Sequence, residues 1–147
     1  MDDQTLARTC ADLMWADDRA AQALGIRLLE VGPGRARLAM TIGPTMVNGH
    51  HICHGGYIFT LADTAFAYGC NSRNDRAVAQ HCSITFVAPA REGQVLEAVC
   101  EERQRAGRSG VYDITVTDET GKTIAEFRGL SRTIRGTFLP PEAVAEG

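Results

Sequence analysis

The stretch that decides the fold reads Asn48-Gly49-His50-His51-Ile52-Cys53-His54-Gly55-Gly56-Tyr57-Ile58-Phe59-Thr60-Leu61-Ala62-Asp63-Thr64-Ala65-Phe66. Its first part, Pro44 to His54, is a polar loop with the turn signal Asn48-Gly49 inside it. From Gly55 to about Cys70 the chain is apolar on nearly every side of a helical wheel, through Ile58, Phe59, Leu61, Ala62, Ala65, Phe66 and Ala67. A helix of that kind is buried, not laid on a surface. Gly55 and Gly56 stand where loop and helix meet. The first turn of a helix carries unpaired N–H groups and the positive end of the dipole, so it can polarise an oxygen that gains negative charge. A glycine there lets a ligand approach the backbone. Asp63 is the one carboxylate inside the helix. A buried acid needs compensation, and such groups concentrate at reactive sites. The plain alternative is a structural acid satisfied by backbone donors.

Around this helix the remaining segments read as strands. Residues 3–17 place Leu6, Cys10, Leu13, Met14 and Trp15 at helical spacing, which predicts a short amphipathic helix. Leu24 to Val31 is a strand candidate. Gly32-Pro33-Gly34 is a turn, and Arg35 to Ile42 alternates apolar and polar residues. Asn71 to Asp75 ends the central helix with loop chemistry. Strands are then expected over 77–88, 94–104, 111–117 and 123–134, separated by turns at 89–93, 106–110 and 118–122. The order is helix, hairpin, buried helix, then consecutive antiparallel strands. That is an α+β layout in which one sheet wraps one helix. One domain is expected over 1–136, with a flexible C-terminal tail over 137–147.

Composition narrows the function classes. With 147 residues the chain is long enough for a sizeable core, and its net charge of −3 argues against a nucleic-acid surface. Of the 15 basic residues only Lys122 is a lysine; the rest are arginines, a residue suited to phosphates. The cysteines number 5, namely Cys10, Cys53, Cys70, Cys82 and Cys100, with no C-x-x-C pair, which points to a reduced compartment. The N-terminus is acidic and has no hydrophobic signal core, and no apolar run reaches the ~20 residues of a membrane span. A cytoplasmic protein without membrane partners is expected.

The order of elements resembles the hotdog fold, a curved antiparallel sheet wrapped around one long central helix. Asn48-Gly49-His50, Cys53-His54-Gly55-Gly56, Leu61-Ala62-Asp63-Thr64-Ala65-Phe66-Ala67-Tyr68, Ile84-Thr85-Phe86-Val87-Ala88-Pro89 and Gly110-Val111-Tyr112-Asp113-Ile114 resemble the acyl-CoA thioesterases of that fold, most of all the family of bacterial phenylacetic acid degradation. The resemblance covers roughly residues 20–135. It implies that the Gly55 amide donates to the thioester oxygen. Asp63 would act as general base for water, or as a nucleophile through a mixed anhydride. Asn48 would position water or carbonyl, and His54 would support the loop and the substrate. Gly56 and Thr64 are expected beside the substrate, and Arg108, Arg128 and Arg132 are candidates for the CoA phosphates. CoA is part of the substrate and no cofactor is implied. Some relatives carry a Ser or Thr on the strand after the helix; the matching position here is Ala79, with Thr64, Gln80 and Asn48 as the alternative substitutes.

The spacing has its own consequence. Gly55 and Asp63 are eight positions apart, about 12 Å of rise and roughly 80° of rotation on a straight helix. If both act on one carbonyl, they come from different subunits, which predicts a homodimer with shared sites. The resemblance extends this to a homotetramer, a dimer of dimers. Two other functions remain open: a hotdog dehydratase or hydratase, and a non-catalytic acyl-CoA-binding module.

His50, His51, Cys53 and His54 match no standard zinc spacing, so no metal is expected. Cys53 lacks a His-Asp relay. Cys53→Ser should therefore keep most of the activity in a thioester hydrolysis assay, and a dead variant would overturn the assignment to Asp63.

Overall fold

The apolar helix predicted from Gly55 is α3, Gly55–Cys70, and it is the centre of the structure. The computed structural model describes residues 1–145. Before α3 come α1 (Asp3–Asp17), α2 (Arg19–Ala23), β1 (Arg27–Gly32) and β2 (Arg35–Thr41). After it come β3 (Asp75–Phe86), β4 (Val95–Ala106), β5 (Ser109–Thr117), β6 (Thr123–Thr137) and the short α4 (Pro141–Ala145). The strands form one antiparallel sheet in the order β1-β2-β4-β5-β6-β3. With α3 packed on it, the chain has the expected hotdog layout.

The inner face of the sheet supplies Leu38, Met40, Leu96, Ala98, Ile114, Val116, Ile124 and Phe127, and α3 supplies Ile58, Leu61, Ala62, Ala65 and Phe66. Alternation in β5 holds as read: Tyr112, Ile114 and Val116 are buried while Val111, Asp113 and Thr115 are half-exposed. Close approach of helix to sheet depends on Gly129 of β6. A Cβ there would sit 2.7 Å from three carbons of the Phe66 ring. That ring also meets Tyr112 and Phe127, with centroids 5.6 and 6.0 Å away.

Several boundaries differ from expectation. The strand expected from Leu24 begins at Arg27, because Asp18 caps a separate helix at Arg19–Ala23 and Gly25 takes φ 69. Asp18 Oδ1 accepts from the Ala21 amide at 3.2 Å. The turn at 106–110 is tighter than read, since β4 and β5 pair out to Ala106 and Ser109 with Gly107 at φ 60. At the C-terminus β6 runs to Thr137, and the next residues are tied down. Asn74, itself at φ 70, accepts from the Phe138 and Leu139 amides and donates to the Leu139 carbonyl. The last two residues of the expected tail lie outside the described residues.

Strand β3 stands at the edge of the sheet, bonded to β6 alone. Most of its residues are exposed, including Val78 and Phe86. Along the flank of α3, Gly56, Thr60, Asp63, Thr64 and Ala67 form a stripe that this chain covers only partly.

Gly129→Ala should cost about 1–3 kcal/mol through overpacking against Phe66. Denaturant unfolding checks this, and pairing it with Phe66→Leu should recover part of the loss.

Candidate active site

The start of α3 is organised by His54. Its Nδ1 accepts the Gly56 amide at 2.9 Å, and its carbonyl accepts the Tyr57 amide at 3.0 Å. Nδ1 is therefore the unprotonated ring nitrogen. The Gly55 amide has no partner among the described residues. Capping the second and third amides leaves the first one free, at the positive end of the helix.

The loop before α3 is closed on itself. Asn48 and Ile52 bond through the backbone at 2.8 Å, and Asn48 Oδ1 accepts from the His50 and Ile52 amides at 2.9 and 3.4 Å. His51 sits at φ 62 in the bend. The Asn48 oxygen is thus spent on the loop, while its amide nitrogen has no partner among the described residues. Cys53 donates its amide to the Ala90 carbonyl at 2.7 Å and its side chain is buried. This fastens the loop to the segment after β3.

Between loop and segment lies a cleft of about 560 Å³, lined by Asn48, Ile52, Cys53, Gly55, Ile58, Phe86, Val87, Ala88, Pro89 and Ala90. Phe86 is its wall. A Cβ on residue 55 would lie 2.8 Å from the Phe86 ring, so glycine is needed for this approach. The cleft is apolar apart from Asn48 and the Gly55 backbone, which suits an acyl thioester whose oxygen meets one fixed donor.

Asp63 is half-buried and does not line this cleft. Burial pushes its carboxyl up from the ordinary carboxylate range, and in the protomer no cation opposes that shift. Among the described residues its one side-chain neighbour within hydrogen-bond reach is Cys82, with Sγ 4.0 Å from Oδ1. The structure therefore joins Asn48, His54 and Gly55 in one place and holds Asp63 further along the same helix, as the eight-residue spacing requires.

Residues 50–125 match the thioesterase superfamily family model. The chain belongs to the thioesterase superfamily. It is 46% identical over 128 residues to acyl-coenzyme A thioesterase PaaI of Escherichia coli, covering 87% of this chain and 91% of that one. The solved structure of the E. coli PaaI protein from the phenylacetic acid degradation operon superposes with a TM-score of 0.91 at 43% identity, over 92% of this chain and 99% of that one. A variant of phenylacetic acid degradation protein PaaI from Thermus thermophilus gives 0.77 at 33% identity, over 80% and 100%.

In this thioesterase the other expected site residues fall in different places. Gly56 is exposed beside the cap, its amide held by His54. Thr64 spends its hydroxyl hydrogen on the Thr60 carbonyl at 2.6 Å. Arg128 is gripped by Asp113 at 2.6 and 2.8 Å, and Arg103 shares that carboxylate at 2.8 Å. Arg108 folds back onto the Thr133 carbonyl at 3.0 and 3.2 Å. Neither Arg108 nor Arg128 lines the cleft. Sequence reasoning missed Phe86 and Cys82 as neighbours of Gly55 and Asp63. Both lie on β3 and reach the helix only through sheet pairing.

A carboxyl raised by burial means the native state holds its proton more tightly than the unfolded chain does. Stability then falls as pH rises from the ordinary carboxylate range through the raised native value, and stays lower above it. Asp63→Asn should melt a few degrees higher than the parent at pH 7.5, with the gain vanishing near pH 4, by thermal unfolding at both pH values.

Proposed function

We propose that this thioesterase hydrolyses the thioester of (hydroxy)phenylacetyl-CoA or related short or aromatic acyl-CoAs, in the cytoplasm. The carrying observation is that the free Gly55 amide and the half-buried Asp63 carboxylate share one helix, yet of the two only Gly55 lines the cleft. The thioester oxygen accepts from Gly55 N–H. Water adds to the carbonyl carbon while its proton passes to Asp63, and the C–S bond then breaks. The products are the carboxylic acid and CoA, whose sulfur takes up the proton. If Asp63 instead attacks first, water hydrolyses the resulting anhydride to the same products. Either route needs Asp63 ionised. The Asn48 amide nitrogen, without a partner among the described residues, would hold the carbonyl or the water.

The Asp63 that serves a given cleft comes from a second subunit. The partly covered stripe of α3 and the unpaired edge of β3 lie on the same side of the protomer and favour a twofold partner with antiparallel helices. A second cleft, of about 590 Å³, lies beside the last turns of α3, and its lining mixes Leu13, Met14, Ala67 and Val78 with Asp17, Asp18, Asn71 and Arg76. Two such dimers form the homotetramer. The phenylacetyl class is favoured by the names of the relatives, acyl-coenzyme A thioesterase PaaI above all.

The test co-expresses an Asp63→Ala subunit with a Gly55→Pro subunit and measures thiol release from a panel of acyl-CoAs. Proline is compatible with the first helical position and removes the donor, and its ring displaces Phe86 only in the cleft of the subunit that carries it, a cleft the donor loss already silences. Each homodimer should be inactive, and the mixture should recover about a quarter of parental activity, highest on arylacetyl-CoAs. A mixture without activity would refute the shared site. A parent that releases no CoA would turn the assignment toward a hydratase or a binding module.

A further inference from the structure

Asp63 has a single side-chain partner, and it comes from the edge strand. Strand β3 carries a bulge: Ala79 pairs with Ser131 and His81 with Leu130, leaving Gln80 as the extra residue. Bulges re-aim the side chains that follow them and are frequent beside active sites. Here the bulge puts Cys82 opposite Gly129, whose missing side chain leaves room that the Phe66 ring fills. Phe66 is one helical turn beyond Asp63, so Cys82 comes up beside the carboxylate. The hydroxyl candidates at position 79 and on α3 are absent or occupied. Position 79 is alanine. Thr64 and Thr60 donate to the carbonyls of Thr60 and Gly56.

We propose that Cys82 is a positioning residue for Asp63, its thiol donating to Oδ1 across 4.0 Å. A donor to the ionised form favours that form. A thiol is a weak donor, but the partial exclusion of water strengthens it. Two titratable groups act with Asp63, namely Cys82 from β3 and Cys70 from the end of α3. Burial and the Asp63 charge raise both, so both stay protonated, Cys70 at about 12. The inference rests on Asp63 being the carboxylate that drives hydrolysis.

The experiment records kcat/KM for arylacetyl-CoA from pH 4 to 9 for the parent, Cys82→Ala, Cys82→Ser and Asp63→Asn. Cys82→Ala should move the acid limb up by roughly half a unit, so that activity below the limb falls about threefold while KM and the plateau hold. Cys82→Ser, which restores a donor, should return the limb to the parental position or below it. An unshifted limb in Cys82→Ala, or equal shifts in both variants, would overturn the role of Cys82. So would a loss uniform across pH, which a merely structural defect would give. Asp63→Asn separates the two readings. If it is inactive, the Asp63 assignment stands whatever Cys82 does; if it is active, that assignment fails by itself.

Discussion

One hydrogen bond organises the start of the central helix: the Gly56 amide donating to His54 Nδ1. The start of any helix exposes several N–H groups, and without direction they bind water indiscriminately. Here the imidazole takes one and the His54 carbonyl takes the next, which leaves the Gly55 amide, beside the cleft, without a partner among the described residues. The rest of the loop serves the same end. Asn48 curls the backbone with its oxygen and keeps its nitrogen outward, and Cys53 pins the loop to Ala90. That N–H is thus fixed by the fold itself, which is what the role proposed for it requires.

The second constraint is the cost of keeping a carboxylate in an apolar helix. Among the described residues Asp63 has no backbone donor and no cation, and burial works against its charge. A chain selected for stability alone would not keep it there. Its retention is consistent with a trade of stability for reactivity, a common pattern at functional sites.

Much of this was readable in advance, and the reasons are physical. Helix α3 announced itself because an all-round apolar run with glycines before it has few other solutions. Strand β5 did so because its alternation is clean on a one-sided sheet. The separation of Gly55 and Asp63 followed from helical rise alone. Other features carried no local signal. Helix α2 is five residues with an Ala-rich sequence, and its cap, Asp18, is invisible without coordinates. The bulge at Gln80 lies in a strand exposed on both faces, where alternation says nothing. Phe86 and Cys82 reach the helix through pairing of β3 with β6, and pairing between distant strands is not written in either strand. The arginines failed for another reason: their partners, Asp113 and the Thr133 carbonyl, become neighbours only when β5 and β6 align.

The position of β3 bears on how the chain is made. As it leaves the ribosome, β3 precedes β4 and β5, yet its one partner within the chain is β6, the last strand. Until β6 emerges, β3 has neither edge satisfied. Vectorial synthesis therefore holds a twelve-residue ribbon open through most of the second half of translation. Such a ribbon is prone to sticking to its own copies. The polar and charged residues that dot it, Arg76, Gln80, His81 and Ser83 among them, would keep the nascent chain in solution during that wait.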